Sequence, residues 1–596
     1  MIANPHLAAI YELVQSVSEA AHLTIKPEEI TVPEAAHGDL ALPCFRLAGE
    51  AKAKPTEVAM RVADAVNGWV SSQPATIIRQ VSAAGPYVNV HLNRTRFAAE
   101  VIEAIENAKE AYGHSVHGAG KRVVLEYVSP NTNKPLHLGH LRNAFLGWSL
   151  VKLLETLGYT VVKTAVINDR GIHIMKSLLA YQRWSEMWNG KKLTHETPRS
   201  AKLKSDAFVG KYYVLYDNKA KENPNLDDEA QELLRRWEQG DEKLRALWKK
   251  MNAWALKGHD ETYERIGISF DKLYFESDLF EEGRQIVTEQ VATGRATKRS
   301  DGSVVIDLND EGLGEKVLLR TDGTTVYITQ DLALAKRRVV DLNPKILIYV
   351  VGQEQDHQFR ALFAILRRFK LTPDIDLKHL SYHLVSLPEG RMKSREGTVV
   401  DADDLLNDLS ALALEEIKSR HSKLLKGPAE HRAEVIALAA IKYYFLKVRP
   451  DSGIHFDPKA SLQFTGRTGP YLLYTYARVA SIFKKEREEK AVPIIREANA
   501  APLEHPTEPT PAEWPLVLAL GRFPTHVEQA ALSYDPSLLA DYSYDLAKAI
   551  NDFYEAEPVL KAEPALRAWR LKLLHNAKLV LGQCLDLMGM PALEEM

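Results

Sequence analysis

Hydrophobic positions follow three different patterns along the chain. Between about residues 120 and 410, short apolar runs typical of buried parallel strands alternate with segments of helical period. This alternation predicts an α/β, Rossmann-like parallel sheet. From about residue 405 the spacing is helical almost throughout, which predicts an all-α bundle. Residues 1 to about 115 mix both periods and predict a small α+β domain.

The clearest βαβ unit carries two histidines just before its helix. Val123–Val128 predicts a buried strand, Phe145–Leu157 a helix and Val161–Ile167 the next strand. His137 and His140 lie where the helix begins. Because a helix start offers free N–H groups and the positive end of a dipole, we expect both imidazoles to contact a polyphosphate. Taken alone, an H-x-G-H string is more often a helix cap or a surface feature.

Two interruptions refine the division into domains. A segment rich in Lys, Glu and Trp at about 185–262 predicts a helical insertion on the sheet, and a proline-rich stretch at 501–511 predicts an exposed loop. We therefore expect three domains: 1–115, 120–410 with the insertion, and 411–596. The helices predicted in the last domain are 404–419, 430–446, 471–490, 514–531, 536–554 and 565–588.

Composition excludes several classes of protein. The 596 residues are 45% hydrophobic and 26% charged, and the two cysteines, Cys44 and Cys584, are too few and too far apart in sequence for a disulfide framework or a Cys-rich zinc site. No apolar run is long enough to span a membrane, and no secretory leader is predicted, so a cytoplasmic location is expected. A net charge of −3 gives no general affinity for nucleic acid. RNA binding would need local patches such as Lys418–Lys426 or Lys484–Arg487, each more often a solvated helix face.

Two further segments carry candidate chemistry. Tyr327 and Asp331 lie four residues apart on a predicted helix and therefore share a face. A phenol and a carboxylate together suit a guanidinium, although a packed tyrosine and a surface aspartate are the commoner case. Gln355 follows a predicted strand at 345–351, and ligands bind at that end of an open parallel sheet. His383–Leu387 predicts another strand, which enters a loop rich in cations.

The string Ser129-Pro-Asn-Thr-Asn-Lys-Pro-Leu-His-Leu-Gly-His140, followed by Leu-Arg-Asn-Ala144, resembles the first signature of class I aminoacyl-tRNA synthetases. In this form it resembles the arginyl-tRNA synthetases. The resemblance covers nearly the whole chain and is specific at 126–144, 327–331, 352–359 and 464–478, but it is weak in the insertion. It implies activation of arginine with ATP and Mg²⁺, transfer to tRNA(Arg), and a monomer.

The resemblance also implies roles for individual residues. The implied arginine-binding residues are Glu126, Asn131, Glu276, Tyr327, Asp331 and Gln355. Glu276 fits a helix-capping box equally well. The implied ATP-binding residues are His137, Gly139, His140 and Met392. The implied tRNA-binding residues are Tyr87 and Asn89, which would stack on and hydrogen-bond to loop bases, and Tyr471.

The loop that usually carries the sequence K-M-S-K departs from the class I pattern. Here it reads Arg391-Met-Lys-Ser394, followed by Arg395. The resemblance implies that Lys134, just before the two histidines, stands in for the missing lysine. We expect Lys134 and Lys393, with Arg391 and Arg395, to stabilise pyrophosphate as it leaves. A loop of this composition is otherwise a solvated turn.

Two other functions also fit the sequence. One is a nucleotidyltransferase of the same fold that acts on a small molecule. The other is a synthetase-like RNA-binding protein without activation, which the altered lysine loop would fit. The insertion carries no editing signature, in line with a substrate that can be selected by hydrogen bonding alone.

Overall fold

A parallel sheet forms the centre of the chain, between a small α+β region and a helical bundle. The computed structural model describes residues 4–34, 37–188, 193–387, 400–420, 426–489 and 508–596. The predicted fold class is confirmed: an α/β Rossmann-like sheet, an α+β region before it and helices after it.

The N-terminal region is a three-stranded antiparallel sheet, in the order β1-β3-β2, covered by helices. Gly85, with a φ of 58°, makes the tight turn between β2 and β3. Its elements are α1 (Pro5–Ala21), β1 (Leu40–Pro43), α2 (Phe45–Ala51), α3 (Pro55–Ser72), β2 (Ile78–Ala84), β3 (Tyr87–Leu92) and α4 (Arg94–Ala108), with single 3₁₀ turns at Pro27–Glu29 and Lys109–Ala111.

The central sheet has five parallel strands in the order β13-β12-β4-β5-β8. The strands are β4 (Arg122–Glu126), β5 (Thr160–Ile167), β8 (Lys272–Phe275), β12 (Ile346–Gly352) and β13 (Asp376–Tyr382). The middle strand, β4, is buried on both faces from Val123 to Glu126. This is the burial expected of a parallel strand covered by helices on both sides.

Helices and a small second sheet surround these strands. The helices are α5 (Leu138–Thr156), α6 (Ile172–Trp184), α11 (Phe280–Ala292), α12 (Tyr327–Leu342) and α13 (Asp356–Arg368), with 3₁₀ turns at Glu276–Asp278, Asn309–Glu311 and Gln353–Gln355. The antiparallel sheet comprises β9 (Thr297–Lys298), β10 (Val304–Asp307) and β11 (Glu315–Leu319).

The strand predicted at His383–Leu387 is wrong in extent and in position. The outer strand of the main sheet is β13, which ends at Tyr382. After it, Val385–Ser386 (β14) pairs with Ile454–His455 (β15), away from the main sheet. The His383 N–H donates to the Pro450 carbonyl, so the chain has already turned toward the helical bundle.

The predicted insertion is helical and has a core of its own. A hairpin, β6 (Glu186–Trp188) and β7 (Leu193–His195), precedes α7 (Pro198–Ala201), α8 (Ser205–Glu222), α9 (Asn225–Glu238) and α10 (Glu242–Ile266). Buried side chains of α8, α9 and α10 pack with those of α6 in a single hydrophobic cluster. The helix α10 ends at Gly267, whose φ of 71° suits a glycine at that position.

The C-terminal part is a bundle, as predicted. Its helices are α14 (Ala402–Arg420), α15 (Lys426–Leu446), α16 (Pro458–Ser461), α17 (Gly469–Glu489), α18 (Glu513–Leu532), α19 (Ser537–Ala556) and α20 (Pro564–Leu587). Cys44 of the N-terminal region and Cys584 of α20 are both fully buried. Across the described ranges, no helix is both long and apolar enough to cross a membrane.

Arg142 of α5 fixes the bundle to the central sheet. Its buried guanidinium donates to the carbonyls of His383, Arg449, Pro450 and Ser452, which belong to two separate turns. One arginine therefore holds both turns against the helix α5, at whose start the two histidines lie.

Candidate active site

A left-handed turn after β4 begins the candidate site. Val128 and Ser129 have φ values of 71° and 44°, a conformation that costs free energy for residues with a Cβ. Asn143 of α5 holds this turn, since its Oδ1 accepts from the Val128 N–H at 2.6 Å and its Nδ2 donates to the Val350 carbonyl at 2.7 Å. The loop that carries the signature is thereby fixed to both β12 and α5.

The two histidines lie together at the start of α5, as predicted. The His140 Nδ1 accepts from the His137 N–H at 3.0 Å, and the two ring centroids are 3.8 Å apart. Because Nδ1 of His140 accepts, the proton of a neutral ring is on Nε2 and available to a ligand. A Cβ on Gly139 would lie 3.2 Å from the His137 ring, so the glycine gives that imidazole room.

Burial keeps the two imidazoles neutral. It lowers the pKa of His137 to about 4, with a contribution from Lys134, and lowers the pKa of His140 well below its usual value. Burial also lowers the pKa of Lys134. We call His137, His140 and Lys134 the imidazole side of the site.

The cations predicted in the lysine loop, Arg391, Lys393 and Arg395, and the neighbouring Met392, lie outside the described residues. After this loop, the described residues continue at Val400, beside the imidazole side. The Leu138 N–H donates to the Val400 carbonyl at 3.1 Å, and the Ala402 N–H donates to the Leu136 carbonyl at 2.9 Å.

Three carboxyl groups lie at the ends of the neighbouring strands β4, β5 and β8, and that of Asp331 approaches them from the helix α12. Burial raises the pKa of Asp331 to about 7, and the carboxylate of Glu126 adds to the shift. Burial likewise raises the pKa of Glu276 to about 7 and that of Asp169 to about 6. Arg170 offsets only part of the shift at Glu276. We call Glu126, Asp169, Glu276 and Asp331 the acidic side.

Glu126 is already engaged by internal partners. Its Oε2 accepts from the Arg338 Nη1 at 2.6 Å, and its Oε1 accepts from the Ser129 hydroxyl at 2.9 Å. The Arg338 side chain is only 1% exposed and lies between the rings of Tyr274 and Tyr349. Glu126 thus links the helix α12 to the signature loop, a role that the sequence did not predict.

The other predicted arginine-binding residues are more exposed. Tyr327 is the first residue of α12, one turn before Asp331, and is 70% exposed. Asn131 is exposed as well, and so is Gln355. Gln358, which was not predicted, donates to the Asp331 Oδ2 at 3.1 Å.

An aromatic pair marks the surface of the N-terminal region. Tyr87 is 40% exposed and meets Phe45, which is 55% exposed, edge to face at 5.8 Å between centroids. Asn89 lies in the middle strand and is only 5% exposed, so little of its amide is open to a base. Phe45 was missed because it lies 42 positions before Tyr87 in the sequence.

A cleft of about 580 Å³ opens in the helical bundle. Its lining combines the cations Arg432, Arg478, Lys484 and Arg487 with the exposed ring of Tyr474 and with the carboxylate of Glu595, which pairs with Arg432 and Lys484. Tyr471, the residue predicted to contact tRNA, instead has its hydroxyl bonded to the amide of Asn551 and its ring against Tyr544. Tyr474 offers the more accessible ring.

Comparison with known proteins identifies the family. Three family models match successive parts of the chain: the arginyl tRNA synthetase N-terminal domain at 8–92, the catalytic domain of class I tRNA synthetases (R) at 101–456, and the DALR anticodon binding domain at 472–596. The chain belongs to the class I arginyl-tRNA synthetases. Membership places it among the ATP-dependent enzymes that ligate arginine to tRNA.

Relatives and a solved structure agree with this assignment. The arginine–tRNA ligase of Treponema pallidum subsp. pallidum is 43% identical over 566 residues, which cover 95% of this chain and 94% of that protein. The enzyme of Treponema denticola is 43% identical over 580 residues, with 96% of each protein covered. The structure of Thermus thermophilus arginyl-tRNA synthetase matches with a TM-score of 0.77 and 26% identity over 99% of each chain.

Two buried side chains of this synthetase, Asp169 and Arg338, were not predicted, although their positions in the sequence indicate them. Asp169 follows the buried strand β5 by two residues, at the same edge of the sheet as the end of β4. Arg338 follows Asp331 by seven residues on one helix, which places both on the same face. Within the described residues, no group of three or more His, Cys, Asp or Glu side chains is arranged to hold a metal ion.

Proposed function

We propose that this chain activates L-arginine with ATP to arginyl-adenylate and pyrophosphate, and then transfers arginine to the 3′-terminal ribose of tRNA(Arg). The observation that carries the proposal is the acidic side, where the buried carboxyl groups of Glu126 and Glu276 lie close to Asp331 and that of Asp169 lies close to Glu276. The pKa of Asp331 and of Glu276 is raised there to about 7. Carboxyl groups in this state need a further cation before they ionise fully. The side chain of arginine brings that cation to the acidic side.

The acidic side favours arginine over lysine. A guanidinium is planar and presents several fixed N–H donors, which can pair with two carboxylates and a phenol at once. An ammonium matches fewer of these acceptors and leaves buried polar groups unpaired, a defect that can give discrimination on the order of 10⁴ without editing. In this proposal Asp331, Glu276 and Tyr327 bind the side chain, while Asn131 and Gln355 hold the α-amino group.

The first step needs no protein nucleophile. A carboxylate oxygen of arginine attacks the α-phosphorus of ATP, the bond from that phosphorus to the oxygen bridging the β-phosphate breaks, and pyrophosphate leaves. Mg²⁺ enters as part of the ATP complex. His140 donates from Nε2 to a phosphate oxygen beside His137 and Gly139. Lys134 offsets the charge that develops on pyrophosphate, together with the predicted cations Arg391, Lys393 and Arg395.

The second step joins arginine to RNA. The 2′-hydroxyl of the terminal ribose attacks the carbonyl carbon of arginyl-adenylate, the bond from that carbon to the phosphate oxygen breaks, and AMP leaves while the hydroxyl proton passes to its phosphate or to water. The domain at 1–115 contacts the outer corner of the tRNA through Tyr87 and Phe45, and the domain at 411–596 contacts the anticodon through the cleft beside Tyr474. Exposed aromatic rings and clustered cations are the features that bind single-stranded bases and backbone. The enzyme acts as a monomer in the cytoplasm.

Amino-acid-dependent exchange of pyrophosphate into ATP tests this proposal. We expect exchange with arginine, with tRNA(Arg) required for full rate, and none with lysine or citrulline, which lacks the positive charge. Exchange with a different amino acid would refute the substrate. Tight tRNA binding without exchange under any condition would instead identify an RNA-binding protein, and exchange that persists after removal of the N-terminal domain and the bundle would favour a small-molecule nucleotidyltransferase.

A further inference from the structure

The long helix α10 of the insertion directs three polar side chains at the active-site loops. Trp248, Asn252 and His259 are four and seven residues apart, so they follow one another along one face of the helix. Each of them forms a hydrogen bond with a loop at the carboxyl edge of the central sheet. The sequence assigned no role to this helix.

The three contacts fall on two loops. The Trp248 Nε1 donates to the Asp169 carbonyl at 2.6 Å, beneath the acidic side. The Asn252 Oδ1 accepts from the Thr132 hydroxyl, and the His259 Nε2 donates to the Lys134 carbonyl at 3.0 Å. Since a carbonyl can only accept, the proton of His259 is fixed on Nε2.

The side chains that form the contacts with residues 132–134 are buried, which makes these contacts costly to lose. Asn252, His259 and Thr132 are all nearly inaccessible to solvent. A buried carbonyl that loses its donor keeps the full penalty of its desolvation. The backbone of Lys134 therefore has a strong preference for the position in which His259 reaches it.

Two glycines bring the insertion close enough for this contact. A Cβ on Gly210 of α8 would lie 2.9 Å from the Pro135 Cδ and 3.6 Å from the Lys134 Cα. A Cβ on Gly258 of α10 would lie 2.3 Å from the carboxyl group of Asp206, so α8 and α10 are themselves tightly packed. The pair of helices forms a rigid support directly behind Lys134.

We propose that His259 and Asn252 are positioning residues that hold the backbone at 132–134, so that the Lys134 ammonium meets the leaving pyrophosphate. The insertion then serves the chemistry of adenylate formation. This inference rests on the proposed function, because it assigns a support to one of the groups in that mechanism. His259 itself does not touch the substrate in this proposal.

A double-mutant cycle tests whether His259 acts through Lys134. We expect His259→Leu to lower kcat of pyrophosphate exchange by roughly 10- to 100-fold, because a misplacement of about 1 Å can cost that much, with KM for arginine unchanged. His259→Gln, whose amide can reach the Lys134 carbonyl as Nε2 does, is expected to restore most of the rate. In a Lys134→Met background, His259→Leu is expected to add little further loss.

The controls separate positioning from folding. His195 lies in the same insertion, where its ring is hydrogen-bonded to Ser185. The substitution His195→Leu is expected to leave the rate of exchange unchanged. If His259→Leu does not fold, Thr132→Val takes its place in the cycle. Thr132→Val removes the hydroxyl that is bonded to Asn252 and keeps the side-chain volume nearly constant. Thermal unfolding of every variant is measured alongside.

Three results would overturn the inference. They are a full rate in His259→Leu, an equal loss with and without Lys134, or a loss that His259→Gln does not restore. The wild-type enzyme decides the proposed function separately, since a wild type without arginine-dependent exchange refutes that function whatever the variants do.

Discussion

Burial acts on the imidazole side and on the acidic side in the same way, yet it prepares them for ligands of opposite charge. On the imidazole side it lowers the pKa of His137 and His140, which leaves neutral rings at a helix start. On the acidic side it raises the pKa of Asp331 and Glu276 to about 7. A low dielectric disfavours a charge of either sign.

The two sides differ in the ligand that offsets the cost of a buried charge. A triphosphate favours protonated or donating groups, whereas a guanidinium favours ionised carboxylates. The ligands therefore complete the electrostatics of the site, and each side can be disabled without the other. The following substitutions and pH changes test this separation, in decreasing order of the loss that we expect.

Asp331→Asn is expected to disable the acidic side alone. Removal of one partner of a buried charge pair costs about 2–5 kcal/mol, so kcat/KM for arginine is expected to fall by roughly 10²- to 10³-fold or more, with KM for ATP little changed. Pyrophosphate exchange at varied arginine and ATP measures both. The control is Asp341→Asn at the other end of the same helix, where the carboxylate pairs with Lys272. An equal loss for both ligands would show that the two sides are not separate.

His140→Asn is expected to disable the imidazole side alone. The amide oxygen of Asn can still accept from the His137 N–H, but the Nε2 donor is lost. A decrease in kcat of about 100-fold is expected for the loss of one such donor. Arginine binding, measured calorimetrically without ATP, is expected to be unaffected. His117→Asn at the surface is the control, and a weakened arginine affinity in His140→Asn would contradict the separation.

The pH dependence of arginine binding is expected to report the acidic side. A carboxyl group with a raised pKa holds its proton in the folded protein between about pH 4 and pH 7, so its contribution to stability falls as pH rises through that window. Arginine binds the ionised form. For a pKa near 7, each such carboxyl group is therefore expected to raise the affinity about tenfold from pH 6 to pH 8.

Calorimetry in buffers of different ionisation enthalpy measures this effect, because arginine binding at pH 6.5 then releases protons. Glu276→Gln is expected to reduce both the release and the slope. An affinity independent of pH over this range would show that these carboxyl groups are already ionised in the free enzyme.

Tyr327→Phe is expected to have the smallest effect. The side chain is 70% exposed, so loss of its hydroxyl removes one solvent-accessible hydrogen bond, worth about 1 kcal/mol. KM for arginine is expected to increase about fivefold, with kcat nearly unchanged. A loss as large as that of Asp331→Asn would mean that α12 closes over the substrate and buries this tyrosine.

The positions of candidate residues could be predicted from the sequence where they depend on neighbouring residues. His137, Gly139 and His140 could be placed at a helix start because the strand before them and the helix after them are both apolar at the right period. For Asp331 the spacing indicated only a face shared with Tyr327, and the family resemblance supplied its expected role. The six main helices of the bundle were predicted for the same reason.

Contacts between distant residues could not be predicted in this way. The pairing of Glu126 with Arg338 joins a strand to a helix 212 positions away, and nothing local to either residue indicates it. The bond from His259 to Lys134 spans 125 positions. The outer strand β13 was missed because Asp376, Lys378 and His379 interrupt its apolar pattern, as an edge position permits.

The two buried cysteines make the domains individually observable. Burial raises the pKa of Cys44 to about 11 and that of Cys584 to about 12, so neither thiol forms the reactive thiolate while its surroundings stay closed. Alkylation of each therefore waits for a local opening, and the two rates can be separated by peptide mass. The alkylation rate of Cys44 reports how often the N-terminal region opens, and that of Cys584 reports how often the last helix opens, without any added label.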